Sequence, residues 1–399
     1  MGGTSLFLMV SHAGRLWAST GYYWDVPGND PATGAQVLVL DRPGGAWRVD
    51  HQFPAKQWRA SLDAITFTTD GQGKRLAQPV SMLVSAPTDP DGKIVMHSRD
   101  DATGGWTAMP LATSPEIVSV RGVVVHRDRV TGVDRVFAGA HPNGVLTGVY
   151  DPGAPGRIRW DPKPELTGFP MPAGFAECAG ALYLAAKPHL YRRVDGRSPR
   201  WEKVYTIEGP IPRGSVGLRG LTTIPDPDGQ GEILLAALDG NPSRIVRIDP
   251  ARGHRVTEEL DVLGFLERQS GGRRPGFVIP AFNGMEPVKD PATGETLHLM
   301  GLSINFAPLG ERYPKEGWDP GGWYLIRYPG GRYEIRQILA PDPAQKLVAT
   351  RQILASPFGD RTLYFAGYDP NMNPSHNTAW IFSAPVETAL APQPSRPSW

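Results

Sequence analysis

Cysteine is nearly absent: the 399 residues hold one, Cys178. A lone thiol excludes an internal disulfide framework, which leaves a reducing compartment and an exported protein without staples equally open. Its apolar setting in AECAGALYL also makes it a poor nucleophile. Charge of one sign is lacking too, because 41 Lys and Arg face 40 Asp and Glu for a net +1. Such a balance provides no global field for nucleic acid or an anionic membrane. No basic-aromatic interleaving argues for nucleic acid, and no apolar run approaches the roughly 20 residues of a membrane span. Neither partner is expected, and the chain is read as soluble. The N-terminus MGGTSLFLMVSHAG lacks a basic n-region and a long apolar core, so SLFLMV reads as a first strand. Localisation stays open: extracellular or periplasmic if a signal peptide has been removed, cytoplasmic otherwise. P-loop, GxGxxG, HExxH and CxxC motifs are missing, which removes the nucleotide, zincin and dithiol chemistries they would carry.

Short apolar runs and turn residues are abundant, with 47 Gly and 41 Pro. The stretch from Gly217 to Pro250 reads GLRGLTTI, EILLAAL and RIVRID, separated by PDPDGQG and DGNPS. Each run is too short for a helix and suits a strand, so the stretch is a β-meander. The same pattern recurs as RGVVVH, RVFAGA and VLTGVYD from Arg121, and as RQILAS, RTLYFAG and NTAWIFS from Arg351. A repeat of roughly 40–55 residues made of short strands points to a propeller. Seven repeats are expected, at about Ser5–Phe53 and Ala60–Leu111 and then from about Pro115, Gly168, Gly217, Phe277 and Leu347. The fold class is therefore all-β, a seven-bladed propeller of four-stranded antiparallel blades. One domain over residues 1–390 is expected, followed by a Pro-rich tail, 391–399. TDGQGK, DPDGQGE and KDPATGE read as hairpin turns, and DPDGK and DPDGQGE are turns in preference to calcium loops, since neither has the twelve-residue ligand series.

Aligning the repeats on the turn between their first and second strands places Asp63, Arg121, Glu177, Arg219, Asn283 and Arg351 at one equivalent position early in the innermost strand. The loops after the second strands share that end of the blades. They carry His141 and Asn143, Lys187 and His189, Asp239 and Asn241, Ser303 and Asn305, and Tyr368 through His376. His12, His126 and His254 are assigned to turns at the opposite end. A histidine beside arginines suits general-base chemistry, given an ordinary pKa near 6.5. Three histidines with an open fourth position would alternatively suit zinc. No metal or other cofactor is required by the sequence, although a divalent cation remains open.

RG(V/L) in repeats three and five, the Asn283 position and the closing YFAGYDPNMNPSHNTAWIF resemble carbohydrate-active seven-bladed propellers, nearest the polysaccharide lyases of the rhamnose-glucuronate lyase type. The resemblance implies β-elimination on a uronic-acid-containing glycan, hence an acidic oligo- or polysaccharide substrate; separately, a monomer is expected. By position it implies His376 or His141 as base and Tyr368 as acid. Arg121, Arg219 and Arg351 would neutralise the substrate carboxylate, with Asn283, Glu177, Asp63 and His189 as further binding groups. A non-catalytic propeller that holds an anionic glycan or acidic peptide is the alternative. Glycoside hydrolysis by Asp63 and Glu177 is a third reading.

Overall fold

A computed structural model describes residues 3–22, 34–142, 144–168, 171–209, 211, 215–308, 310, 314–340, 342, 345, 347–371 and 379–393. The chain divides into two compact units. One comprises Met1–Gly3, Val10–Gly21 and Gly28–Thr206, and the other Thr4–Met9, Tyr22–Pro27 and Ile207–Trp399.

The first unit is a series of antiparallel meanders. It begins with the end of β1 (Ser5–His12), followed by β2 (Arg15–Gly21), β3 (Gln36–Leu40) and β4 (Arg48–Gln52). Then come β5 (Asp63–Thr69), β6 (Arg75–Ser85), β7 (Lys93–Arg99) and β8 (Trp106–Thr113), paired in that order. The third meander is β9 (Ser119–Arg127), β10 (Asp134–His141), β11 (Gly144–Tyr150) and β12 (Ile158–Trp160). The fourth is β13 (Pro172–Cys178), β14 (Ala181–Ala186), β15 (His189–Val194) and β16 (Arg200–Thr206).

The second unit continues with β17 (Leu218–Pro225), β18 (Glu232–Leu238), β19 (Arg244–Asp249) and β20 (Arg255–Asp261). Helix α1 (Val262–Gln269) intervenes before a five-stranded sheet. That sheet holds β21 (Phe277–Pro280), β22 (Glu286–Lys289), β23 (Thr296–Asn305), β24 (Trp323–Arg327) and β25 (Tyr333–Gln337). The chain closes with β26 (Ala349–Ala355), β27 (Thr362–Tyr368), β28 (Ile381–Pro385) and the short helix α2 (Val386–Leu390). Ser5 of β1 pairs with Tyr368 of β27. The fold class is all-β, and among the described residues the seven consecutive meanders agree with a seven-bladed propeller. No described helix is long and apolar enough to cross a membrane.

Second and third strands are apolar on both faces because both are covered. β3, β11, β14 and β24 are buried at every residue. The first unit packs Ile65, Phe67, Met82, Val84, Met96, Val136 and Ala138 into one core. In the second unit Leu235, Ile245, Met300, Leu302, Trp323 and Leu325 do the same, joined by Val262, Leu263 and Leu266 of α1. Asp261 caps α1, its side chain accepting from the Gly264 N–H at 3.1 Å. The Asp-rich breaks are turns: Asp70 accepts from the Gln72 and Lys74 amides, Asp226 from Asp228 and Asp290 from Ala292. Each aspartate thereby satisfies its own turn, which is what these residues do in such positions. Of the expected tail, the described part ends at Gln393, whose amide brackets the Gln337 backbone at 3.0 and 2.7 Å.

A bulge recurs near the start of first strands. It falls between the partners of Ala138 and Ala140 in β9, at Ala173 in β13, between Arg219 and Thr222 in β17, and at Arg351 in β26. A bulge twists a strand and re-aims the side chain it carries. In β17 Gly220 makes it possible: φ is +62°, and a Cβ there would lie 2.6 Å from the Ala281 oxygen. Opposite the β9 bulge, a Cβ on Gly139 would come within 2.9 Å of Pro172. Three of the arginines singled out in the sequence sit at these bulges.

Candidate functional site

In the first unit, Asp63 opens β5 and its carboxylate accepts from the Val123 backbone N–H of β9. Oδ2 is buried without a hydrogen-bond partner among the described residues. Loss of water raises the pKa to about 7, against the weaker opposing pull of that single amide. Arg121 lies in the β9 bulge and is half-buried. His141 ends β10, paired with Ser119, and is also half-buried. Burial lowers the His141 pKa first, the neighbouring Arg121 charge lowers it further, and Glu116 opposes both. The imidazole is therefore neutral at pH 7. Its Nδ1 is buried with no hydrogen-bond partner among the described residues. His189 opens β15, bonds the Thr206 hydroxyl through Nδ1 at 2.9 Å, and packs edge-on to Tyr191. Burial, then Lys203, lowers its pKa as well.

Glu177 does not take the place the alignment gave it. It is the next-to-last residue of β13, and its carboxylate meets His126 Nδ1 at 2.5 Å. The strand runs back to Pro172, through a Pro-Ala-Gly segment that reads as loop, so the early position belongs to residues around Ala173. His126 is in β9, five residues beyond Arg121, and His12 ends β1 with Nε2 at 2.6 Å from Asp101. Neither is in a turn.

In the second unit, four of the predicted residues come together. Arg219 is 4% exposed and donates to Asp239 Oδ2 from Nε at 3.1 Å and Nη2 at 2.6 Å. Asp239 also accepts from Ser215, Val216 and Gly217, so its oxygens are fully used. Arg351 is 2% exposed, with its guanidinium 4.1 Å from the Phe7 ring centroid, 4.1 Å from Phe282 and 4.3 Å from Tyr368. Phe282 is shared, since Arg219 stacks on it at 4.4 Å. Tyr368 is 1% exposed, and the exposed Asn283 donates to the Phe7 oxygen at 2.5 Å. Asn283 follows β21 in a bend and does not lie in the innermost strand itself. These arginines are bound by the protein's own carboxylate and rings, an arrangement that holds strand ends together. Tyr368, packed on Arg351, is closed to a polymeric leaving group. His376 and Asn143 lie outside the described residues.

A second constellation escaped the sequence reading. Arg193, 1% exposed on β15, donates to Glu165 at 2.8 and 3.1 Å, to Asp128 at 2.9 Å and to Asp195 at 2.5 Å. It also stacks on Phe137, and Trp201 donates to Glu165. Asp195 in turn holds His126 Nε2 at 3.1 Å. Burial works against charge on that imidazole, yet Glu177 and Asp195 together raise its pKa. The signal available was the pair of turns HRDRVTGVD and RRVDGR, each dense in opposite charges. Among the described residues no group of three His, Cys, Asp or Glu could hold a metal ion.

The sheets and their order define a propeller-type all-β protein. No family model matches the chain, and no curated protein matches it. Among solved structures, a protein from Bacteroides uniformis provisionally assigned as a 6-phosphogluconolactonase is 14% identical, with 74% of this chain and 80% of that chain covered at a TM-score of 0.43. A protein from Lactobacillus plantarum is 11% identical over 92% of this chain and 89% of that chain, with a TM-score of 0.45. A chain of the mitotic checkpoint complex is 12% identical over 89% and 84%, with a TM-score of 0.47. Likeness at this level carries no argument about activity.

Proposed function

We propose that the protein is a lyase that abstracts the proton beside the carboxylate of a uronic-acid-containing glycan, with His141 as base and Arg121 as the carboxylate-binding group. The observation that carries the reading is the placement of His141 opposite Ser119 on the strand that carries Arg121, where burial and that guanidinium charge both lower the imidazole pKa. The proton next to a carboxylate is weakly acidic, so the charge that develops needs a cation, the largest electrostatic contribution in such a step. Arg121 supplies it. The imidazole nitrogen takes the C5 proton, the C–H pair becomes the C4=C5 double bond, and the C4–O bond breaks. The departing oxygen takes a proton from solvent. This assignment passes over Tyr368 as acid and treats Arg219 and Arg351 as supports of the site's surroundings.

A binding propeller without catalysis is the second reading, favoured by the commitment of Arg219 to Asp239 and of Tyr368 to the Arg351 guanidinium, which withdraws both from the chemistry. Glycoside hydrolysis loses its basis, since Glu177 is committed to His126. Incubation with glucuronate- and galacturonate-containing polysaccharides tests the choice. Elimination gives an unsaturated, ultraviolet-absorbing product with no gain of water by mass. Binding without new ends would leave the second reading, and reducing ends with added water and no double bond would restore hydrolysis.

A further inference from the structure

The first unit contains a cleft of about 340 Å³ between the third and fourth meanders, outside the residues just assigned to chemistry. Its walls come from the β9–β10 turn, mid-β11, the segment after β12 and the β15–β16 turn. Asp128 of this cleft lies seven positions beyond Arg121, just past the end of β9 and roughly 23 Å away along an extended strand. The two places are distinct.

The charges lining the cleft are unequally occupied. Asp128 accepts from the Val130, Thr131 and Gly196 amides and from Arg193. Glu165 receives Arg193 and Trp201, and Asp161 receives Arg135 and the Thr147 hydroxyl. Every lining carboxylate is thus answered by the protein. Lys163 and Arg197 also line the cleft, both exposed, and neither has a hydrogen-bond or ion-pair partner among the described residues. The lining carries Arg135, Arg193, Lys163 and Arg197 against Asp128, Asp161 and Glu165, a net +1, and the charge the protein leaves uncommitted comes from two donors of different geometry. Arg193 is locked on three carboxylates beneath them, so the floor is rigid before any ligand arrives. The volume lies at the lower end of the roughly 300–1,000 Å³ typical of small-molecule sites. It exceeds what a bare oxyanion fills.

We propose that this cleft binds a small organic dianion, a phosphate monoester or a dicarboxylate, through Lys163 and Arg197. Arginine offers a planar fork for two oxygens and lysine a point charge, a pairing that suits a doubly charged group. The test is calorimetric titration of the whole chain with inorganic phosphate and, separately, with malonate at low ionic strength. It compares wild type, K163A/R197A, and R42A/K93A, a control with the same change in net charge on exposed residues away from the cleft. At least one probe is expected to bind wild type and control, with affinity about tenfold or more weaker in K163A/R197A, the loss expected for charge-assisted hydrogen bonds. The probe that binds tells phosphate recognition from dicarboxylate recognition. No binding of either probe by wild type overturns the proposal, as does equal weakening in the control. If the double variant fails to fold, K163A and R197A are titrated singly, and unchanged affinity in both overturns it.

Discussion

Replacing Asp63 by Asn should make the protein more stable at alkaline pH and leave it unaltered in acid. Burial of Oδ2 raises the carboxyl from 3.8 to about 7. Between those values the folded state binds one more proton than the unfolded state, so stability falls as pH rises from about 4 and reaches its floor above about 7. A shift of about 3 units at about 1.4 kcal/mol each comes to about 4 kcal/mol of penalty on the ionised form. Because the residue retains some surface, about 4 kcal/mol is an upper bound. Asn reproduces the neutral acid in size and keeps an oxygen for the Val123 amide. The difference between variant and wild type therefore isolates this one group from all the others that titrate. Urea unfolding of both proteins, followed at pH 4 and pH 8 on the transition that includes the first unit, measures it. The variant should match wild type at pH 4 and gain up to about 4 kcal/mol at pH 8. A variant equally destabilised at both pH values would refute the buried, uncompensated carboxyl.

His97 should act in the opposite direction. Burial, then His51, lowers its pKa from 6.5 to about 4, so its contribution is intact above about 6.5 and lost as pH falls through 4; His97→Gln should flatten the acid limb of the unfolding curve. Arg193→Met should cost about 3–5 kcal/mol, because Asp128, Glu165 and Asp195 would be left as buried charges without their shared partner, and a urea midpoint unchanged from wild type would contradict the network. His141→Ala should lower turnover on a uronide substrate about 10²–10⁴-fold with little change in melting temperature, the range for losing a general base, while His376→Ala should retain most activity; the reverse pattern would transfer the role to His376.

The fold was legible because its signal is repetition. Short apolar runs at regular spacing, and aspartates that satisfy their own turns, specify meanders whichever residues fill them. Helix α1 was missed because VLGFLERQ is one short helix among strand-length runs, with a glycine that argues against helix. Arginines at the first-strand bulges could be picked out from the repeats, but their partners could not. That Arg219 meets Asp239, and that Arg351 lies among Phe7, Phe282 and Tyr368, depends on contacts between residues far apart in sequence. Glu177 was misplaced where Pro172, Ala173 and Gly174 conceal the start of β13. The Arg193 network was invisible for the same reason as the aromatic cluster: its charges are scattered over 69 positions, from His126 to Asp195, and only packing brings them together.

The pairing of a neutral imidazole with Arg121 is tested most directly by titrating His141 by NMR in wild type and in Arg121→Ala. In wild type the His141 pKa should lie below its ordinary value, owing to burial and the adjacent guanidinium. Removing that charge should raise it. A wild-type value at or above the ordinary one, or no change in the variant, would contradict the site on which the proposed chemistry depends.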